Sequence, residues 1–538
     1  MMKRVSLLLL FVFALFAVPA RATTIYVSQT GGAFTGGTAC NGQRAISVST
    51  FKSTTLSAGE TVYLCGTITS AVIPHNGGSL GSPVLVQWDS GASVQVCSTT
   101  AAVYINGLSY LLLDLGGNST AIECPNNGIG LSTATDSVIG IGSAGNGWNN
   151  VEIRNGTVGP VFQYSGGTDN GFNTVCINGA SGANNTYIHN LTLSGCAEGM
   201  AIYPTTNSTD QFAYLNVGPS VGRVLNYASG SSSNIALANS SFHDSSVNYT
   251  TVWAVPGDYE HYEAIHIYVT SASGAQDHIT NFQIYNNYFY GSSPPAGYGA
   301  TGLIFAGTGL DACPSTSYES VNIFDNLITD SGNSSTGFSD GIGSYFYLQD
   351  CYVTMNMYNN TVIAANGASN ACFTYLETAG TAGTASDLVT FKNNICSGMS
   401  FAGYYFQRLT PFVSSNNDFY DVGAFALTGA SGQNTYTLAT WKTLTGQESN
   451  TITTIPGLSS TYLISSTSSA AYEAGVNLTS LGLTNLDTGA PATFGVSGAC
   501  GTGCVARSSS GAWDLGAYPY ASSASTANPP TNLTATPH

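Results

Sequence analysis

Charge is the scarcest commodity in this chain. Only 7% of its 538 residues are Asp, Glu, Lys or Arg, against roughly 25% in average soluble domains. That excludes a charge-laced helical bundle, a coiled coil and a charged disordered chain, and the supply of aromatic and β-branched residues is ample for a core. Basic residues are fewest: 11 Lys and Arg face 28 Asp and Glu, a net charge of −17. Such a surface repels nucleic acid, anionic membrane and polyanions, so no nucleic-acid partner is expected. There is no CxxC pair, which argues against zinc-ribbon or thioredoxin chemistry. Long apolar runs are also missing. The one from Val5 to Val18 is shorter than the ~20 residues a spanning helix needs, so no membrane insertion is expected.

That run sits behind Lys3 and Arg4 and ahead of Ala20-Arg21-Ala22. A basic start, an apolar stretch and an A-x-A site make a secretory signal peptide over residues 1–22, and the mature chain is expected outside the cell. Cleavage leaves 8 basic residues against 28 acidic ones. Twelve cysteines, an even number, then imply disulfides. Cys40 with Cys65, Cys176 with Cys196, Cys372 with Cys396 and Cys500 with Cys504 read as local staples.

What the chain has in abundance is repetition. Segments of the form apolar–x–Asn/Asp–small or Asn recur: IRNG (153–156), IHNL (188–191), LANS (237–240), IYNN (284–287), IFDN (323–326), MYNN (357–360), FKNN (391–394) and SSNN (414–417). Asn287, Asn326, Asn360, Asn394 and Asn417 lie 39, 34, 34 and 23 residues apart. A second strand precedes each, as at Glu198-Gly-Met, Glu263-Ala-Ile, Thr301-Gly-Leu and Asp340-Gly-Ile. Alternation there points Met200, Ile265, Leu303 and Ile342 inward. Short strands at such a period mean a solenoid or a propeller, and no blade signature is present. Asn tolerates the left-handed backbone of a tight bend, and stacked Asn side chains bond along a ladder. A parallel β-helix satisfies all of this.

Three stretches resemble the right-handed parallel β-helix proteins of the pectin-lyase-like group. They are the opening strands from Ile25 to Val86, the Asn-turn repeats, and the terminal Arg507 with Gly511-Ala-Trp-Asp-Leu-Gly-Ala-Tyr518. The resemblance implies an all-β, single-stranded right-handed parallel β-helix with N-terminal coils and a C-terminal cap. The expected organisation is signal peptide 1–22, β-helix 23–425, C-terminal coils and cap 426–520, and a linker at 521–538 that opens a possible additional C-terminal module.

Enzymes of this group are mostly polysaccharide lyases and glycoside hydrolases, so the implied partner is a polysaccharide substrate. The WxDH motif of pectate lyases is absent, as are the paired-Asp, GHG and RIK motifs of polygalacturonases. Lyases of the group use a Lys or Arg base and often Ca²⁺; hydrolases use two carboxyl groups. Glu263 and Asp340 head the same strand type, about 9–10 Å apart if one coil of ~4.8 Å rise lies between each. Together with His266 they are the expected catalytic residues. Glu198 shares their position and is expected to cap its turn, as carboxylates before Gly often do. Residues 249–268 are the densest run of titratable and aromatic groups, so Trp253, Asp258, His261, Tyr262 and Tyr268, with Tyr345 and Arg408, are the expected sugar contacts. Small residues beside His266 (Gly302, Gly341, Gly343) would leave a shallow groove. Lone cations such as Arg154 read as solvated stems. No cofactor is required; Ca²⁺ is compatible with Asp311, Glu319, Asp325 and Asp330 near one coil, and no metal ligand is assigned. The leading reading is a secreted glycoside hydrolase, with a Ca²⁺-assisted polysaccharide lyase and a non-catalytic adhesin or stalk as alternatives.

Overall fold

The computed structural model describes residues 23–96, 101–105, 107–124, 137–142, 147–161, 175–183, 185–196, 198–204, 208–218, 223–229, 235–238, 240–243, 246–248, 263–269, 277–290, 302–307, 318–329, 344–349, 353–368, 371–376, 387–409, 411–429, 432–460, 462–483, 486 and 506–520. The signal peptide, the 521–538 tail and Cys500 and Cys504 lie outside them.

One coil shows the plan. Gly302–Gly307 is a strand of a twelve-stranded sheet; Tyr318–Phe324 and Leu327–Thr329 follow in a larger, 25-stranded sheet. The next coil repeats this with Ser344–Gln349, Val353–Tyr358 and Thr361–Ala368, each strand pairing in parallel with its predecessor. Strand accounts for 55% of the structure and helix for 5%, so the all-β solenoid expected from the repeats is what forms.

The Asn-turn pattern divides its work between two adjacent residues. The first takes the left-handed backbone: Asn286, Asp325, Asn359, Asn393 and Asn416 have φ of 55°, 54°, 52°, 60° and 55°. This bends the chain between the two strands of the larger sheet. The second is the internal ladder. Asn287 Nδ2 donates to Asn326 Oδ1 at 3.0 Å, Asn326 to Asn360 at 2.9 Å, Asn360 to Asn394 at 3.0 Å and Asn394 to Asn417 at 3.4 Å. All five ladder residues are fully buried, which is tolerable only because each amide is bonded on both sides.

Between the sheets lies the core. Met200, Leu225, Ile265, Ile304, Phe346, Phe373, Tyr404 and Phe425 form one inward column of the smaller sheet, coil upon coil. Their partners come from the larger sheet; Phe391, for example, meets Phe346, Phe373 and Tyr404 at ring distances of 6.3, 6.5 and 5.3 Å. Each such side chain adds about 1.5–3 kcal/mol on burial. The helix Leu438–Thr445, capped by Thr437 and by left-handed Gly446, lays Trp441 over Phe425 and Phe406 at the end of this column. Disulfides join Cys40–Cys65, Cys176–Cys196 and Cys372–Cys396, the three expected pairs that fall among the described residues.

The C-terminal segment then runs back across the larger sheet. Val476 N–H donates to Asn393 Oδ1, Gly516 N–H to Asn393 O and Ala517 N–H to Thr361 Oγ1. Leu478, Leu486 and Trp513 cover Tyr285, Phe324 and Tyr358, while Ala517 and Tyr518 cover Leu327. Gly516 has φ +79°, and a Cβ there would meet Thr361 Oγ1 at 2.4 Å, so only glycine lets the segment lie this close. Asp418, which follows Thr361 and Ile395 in one column of the larger sheet, is 0% exposed. Neither of its carboxyl oxygens has a hydrogen-bond partner, and burial pushes its pKa up to about 8. The folded state therefore holds a proton that the unfolded chain releases near pH 4, so stability falls as pH rises from about 4 through 8. Replacing Asp418 with Asn should remove this slope. Unfolding midpoints between pH 5 and 9 should show the wild type losing at least ~1 kcal/mol relative to the variant, by the usual cost of an unsatisfied buried polar group.

Candidate functional site

The outward column of the smaller sheet is where the expected site residues meet the structure. His266 pairs in register with Asn226 on one side and Phe305 on the other, and Phe305 with Tyr347. The rings touch: His266–Phe305 at 4.6 Å edge-on, Phe305–Tyr347 at 5.0 Å stacked, His266–Tyr268 at 4.6 Å. Small residues were expected here. The reason they are not lies in the register: Ile304, not Leu303, takes the inward place opposite Ile265. Gly302 accordingly leaves no open groove, since a Cβ there would meet Tyr347 Cβ at 2.4 Å. Tyr345, expected to line the groove, is 1% exposed and belongs to the main core.

Of the expected carboxylate pair, only Glu263 falls among the described residues. Gly302 is paired with Ser344, and continuing the Ile265–Ile304 pairing back two residues sets Glu263 beside Gly302. Asp340 itself, like Trp253, Asp258, His261 and Tyr262, lies outside the described residues.

What the structure places beside Glu263 is Arg223. The guanidinium donates from Nη1 to Glu198 Oε1 at 2.9 Å and from Nη2 to Glu263 Oε2 at 3.2 Å. His266 Nδ1 stands 4.0 Å from the same Glu263 oxygen. Side-chain exposures separate the roles: 1% for Glu263, 12% for Glu198, 13% for Arg223 and 21% for His266. Glu198 was read as a turn cap; here it is an ion-pair partner at the solvent side. The sequence offered Arg223, with Arg408, only as a base for the lyase alternative; its pairing with Glu198 comes from the coil register.

Tyr203 and Tyr268 flank this chain. Asn226 Nδ2 donates to Tyr203 Oη at 3.1 Å. Burial, then the charges of Tyr268 and Glu198, raise the Tyr203 phenol far above its ordinary range, so it stays protonated. Arg408 sits farther along and bonds Tyr375, whose hydroxyl donates to Asp387 at 2.7 Å; it does not join the Arg223 group.

Two members of the suggested Ca²⁺ cluster are engaged elsewhere. Glu319 is buried, accepts from Val269 N–H at 2.7 Å, and has a pKa pushed up to about 8, first by burial and also by Asp387. Asp325 pairs with Arg507. Asp311 and Asp330 lie outside the described residues. Among the described residues no group of three or more His, Cys, Asp or Glu converges.

No family model and no curated protein matches this sequence. Solved structures of similar fold include pectate lyase Pel9A, at 13% identity and TM-score 0.36, covering 92% of this chain and 96% of that one. XylC in complex with xylose shares 8% identity at TM-score 0.37, covering 74% and 84%. A mannuronic acid-specific polysaccharide family 6 lyase from human gut microbiota shares 10% at TM-score 0.32, covering 77% and 86%. At such identities likeness concerns fold and not chemistry. The coil plan, with parallel strands stacked in register and left-handed bends, most of them at Asn, is that of a parallel β-helix.

Proposed function

We propose that the outer face of the smaller sheet around Arg223 is the active site of a secreted carbohydrate-active enzyme, in the finer reading a glycoside hydrolase on a neutral or weakly charged polysaccharide. The observation that carries this reading is the Glu198–Arg223–Glu263–His266 chain, in which two carboxylates share one guanidinium beside tyrosine rings. Hydrolysis needs one group to protonate the leaving oxygen and another to activate water. Glu198 and His266 are the members exposed enough to reach a sugar. Glu263 is too deeply buried to touch one and serves as a positioning residue for Arg223 and His266. Asp340 remains the sequence's candidate for a second carboxyl. A uronate lyase would need a cation to meet the substrate's carboxylate, and Arg223 is already shared by two acids; the net charge of −17 also opposes a polyuronate. No cofactor is invoked in these steps. Three disulfides fit an oxidising compartment.

The test is a polysaccharide panel read for new reducing ends and for the ultraviolet absorbance of unsaturated sugars. Reducing ends without absorbance are expected. Both signals together would make the enzyme a lyase, and neither would leave the adhesin reading.

A further inference from the structure

A second open site lies on the larger sheet, at its first coils. A groove of about 570 Å³ is lined by residues that include Gln87, Asp114, Gly117, Asn155, Asn190 and Thr192. The register places two of these: Gln87 and Asp114 follow one another, one per coil, and Arg154 and His189 come next in the same column. Asn155 and Asn190, with φ of 59° and 53°, turn the chain away at its side. Gly117 has φ +71°, and a Cβ there would meet nothing.

The charged groups beneath this groove pair with one another. Asp114 Oδ1 accepts from Gly116 N–H at 3.0 Å, and Oδ2 from Arg154 Nε at 2.9 Å and Asn155 Nδ2 at 3.2 Å. Arg154 Nη1 meets Glu152 Oε1 at 2.7 Å, which also meets His189 Nε2 at 3.0 Å. Burial pushes the Glu152 carboxyl up, but its bond to His189 and the Arg154 charge outweigh that and hold it below its ordinary range. Arg154 is thus no solvated stem. What the groove offers a ligand is amide, hydroxyl and backbone groups, with the one nearby guanidinium already held between two carboxylates. These suit sugar hydroxyls and give no purchase to a phosphate or a uronate. Aromatic rings stand farther along the same stack: Tyr63, one coil before Gln87, stacks on Tyr26 at 5.8 Å, and Tyr187 stacks on His189 at 4.0 Å. Four coil steps separate Tyr63 from His189, about 19 Å, enough for several sugar units laid across the coils.

We propose that this groove is a second glycan-binding surface, holding a neutral oligosaccharide without being the site of its cleavage. It lies on a different sheet from the Arg223 group and does not depend on that reading. The mature chain should be titrated calorimetrically with xylotetraose, mannotetraose and cellotetraose, and with tetragalacturonate as the acidic control. At least one neutral sugar should bind saturably and tetragalacturonate should not. Gln87→Ala and Tyr63→Ala should each weaken that Kd about 5- to 10-fold, the loss of one hydrogen bond or ring contact, while Thr435→Ala, at an exposed position on the strand Gly432–Tyr436, leaves it unchanged. Melting curves check that the variants fold, and Gln87→Ala stands alone if Tyr63→Ala does not. No neutral binding, tighter binding of tetragalacturonate, or an unchanged Kd in a folded groove variant would overturn the proposal. A Kd weakened only by His266→Ala would move the sugar to the active face.

Discussion

Arg507→Ala should detach the C-terminal strap and destabilise the protein by about 3–5 kcal/mol, the usual cost of removing one partner of a buried ion pair. Arg507 is 1% and Asp325 0% exposed at the side chain, with Nη2 and Oδ1 2.7 Å apart. The same guanidinium donates to the carbonyls of Asp514, Gly516 and Ala517 and lies over the Trp513 ring. Its loss would leave the Asp325 charge buried beneath a strap whose turn has lost its centre. Limited proteolysis should then release the segment beyond about residue 457 at temperatures where the wild type resists, and the melting midpoint should fall. Asp325→Asn alone should lower the midpoint as well. Adding it to Arg507→Ala should recover part of the loss, because the orphaned charge is then gone. A double variant no more stable than Arg507→Ala would mean that the ion pair is not what holds the strap.

None of that anchoring could be read from the sequence, because its partners are 182 residues apart and sit on segments with no shared pattern. The Asn ladder was legible for the opposite reason. Its residues recur at near-constant spacing, so one local rule, a left-handed bend followed by a stacked amide, repeats coil after coil. The short-range disulfides were legible in the same way. Strand parity was legible only where polar residues mark one face. In Glu263-Ala-Ile-His-Ile-Tyr the His fixes the outward side, and Ile265 points inward as expected. In Gly302-Leu-Ile-Phe-Ala-Gly and Ser344-Tyr-Phe-Tyr-Leu every residue is apolar, aromatic or small, so alternation cannot say which face is buried. A slip of one residue there put Leu303 in the inward place that Ile304 takes. Polar burial was the other blind spot: sequence reading expects carboxylates at the surface, whereas Glu263, Glu319 and Asp325 are all sealed by a specific donor.

The corrected geometry changes which variants should be inactive. Glu198→Gln and His266→Gln remove proton-transfer groups at the exposed end of the chain, and each should lower turnover on the best panel substrate by about 10²–10⁴-fold. His266 is 21% exposed and its loss should move the melting midpoint little, whereas Glu198, 12% exposed and 2.9 Å from Arg223, should lower it modestly on substitution. Glu263→Gln should behave differently. Its carboxylate is buried against Arg223, so the amide leaves the guanidinium with Glu198 alone and should cost about 1–3 kcal/mol of stability as well as activity, since Arg223 and His266 lose their support. Arg223→Met should resemble Glu263→Gln and add little to it in the double variant, because both act through one network. Steady-state turnover and thermal midpoints measured on the four single variants and the double separate the possibilities. A Glu198→Gln enzyme with near wild-type turnover would remove this face from the chemistry and return attention to Asp340, whereas loss of stability without loss of turnover in Glu263→Gln would make the Arg223 cluster a structural staple between coils.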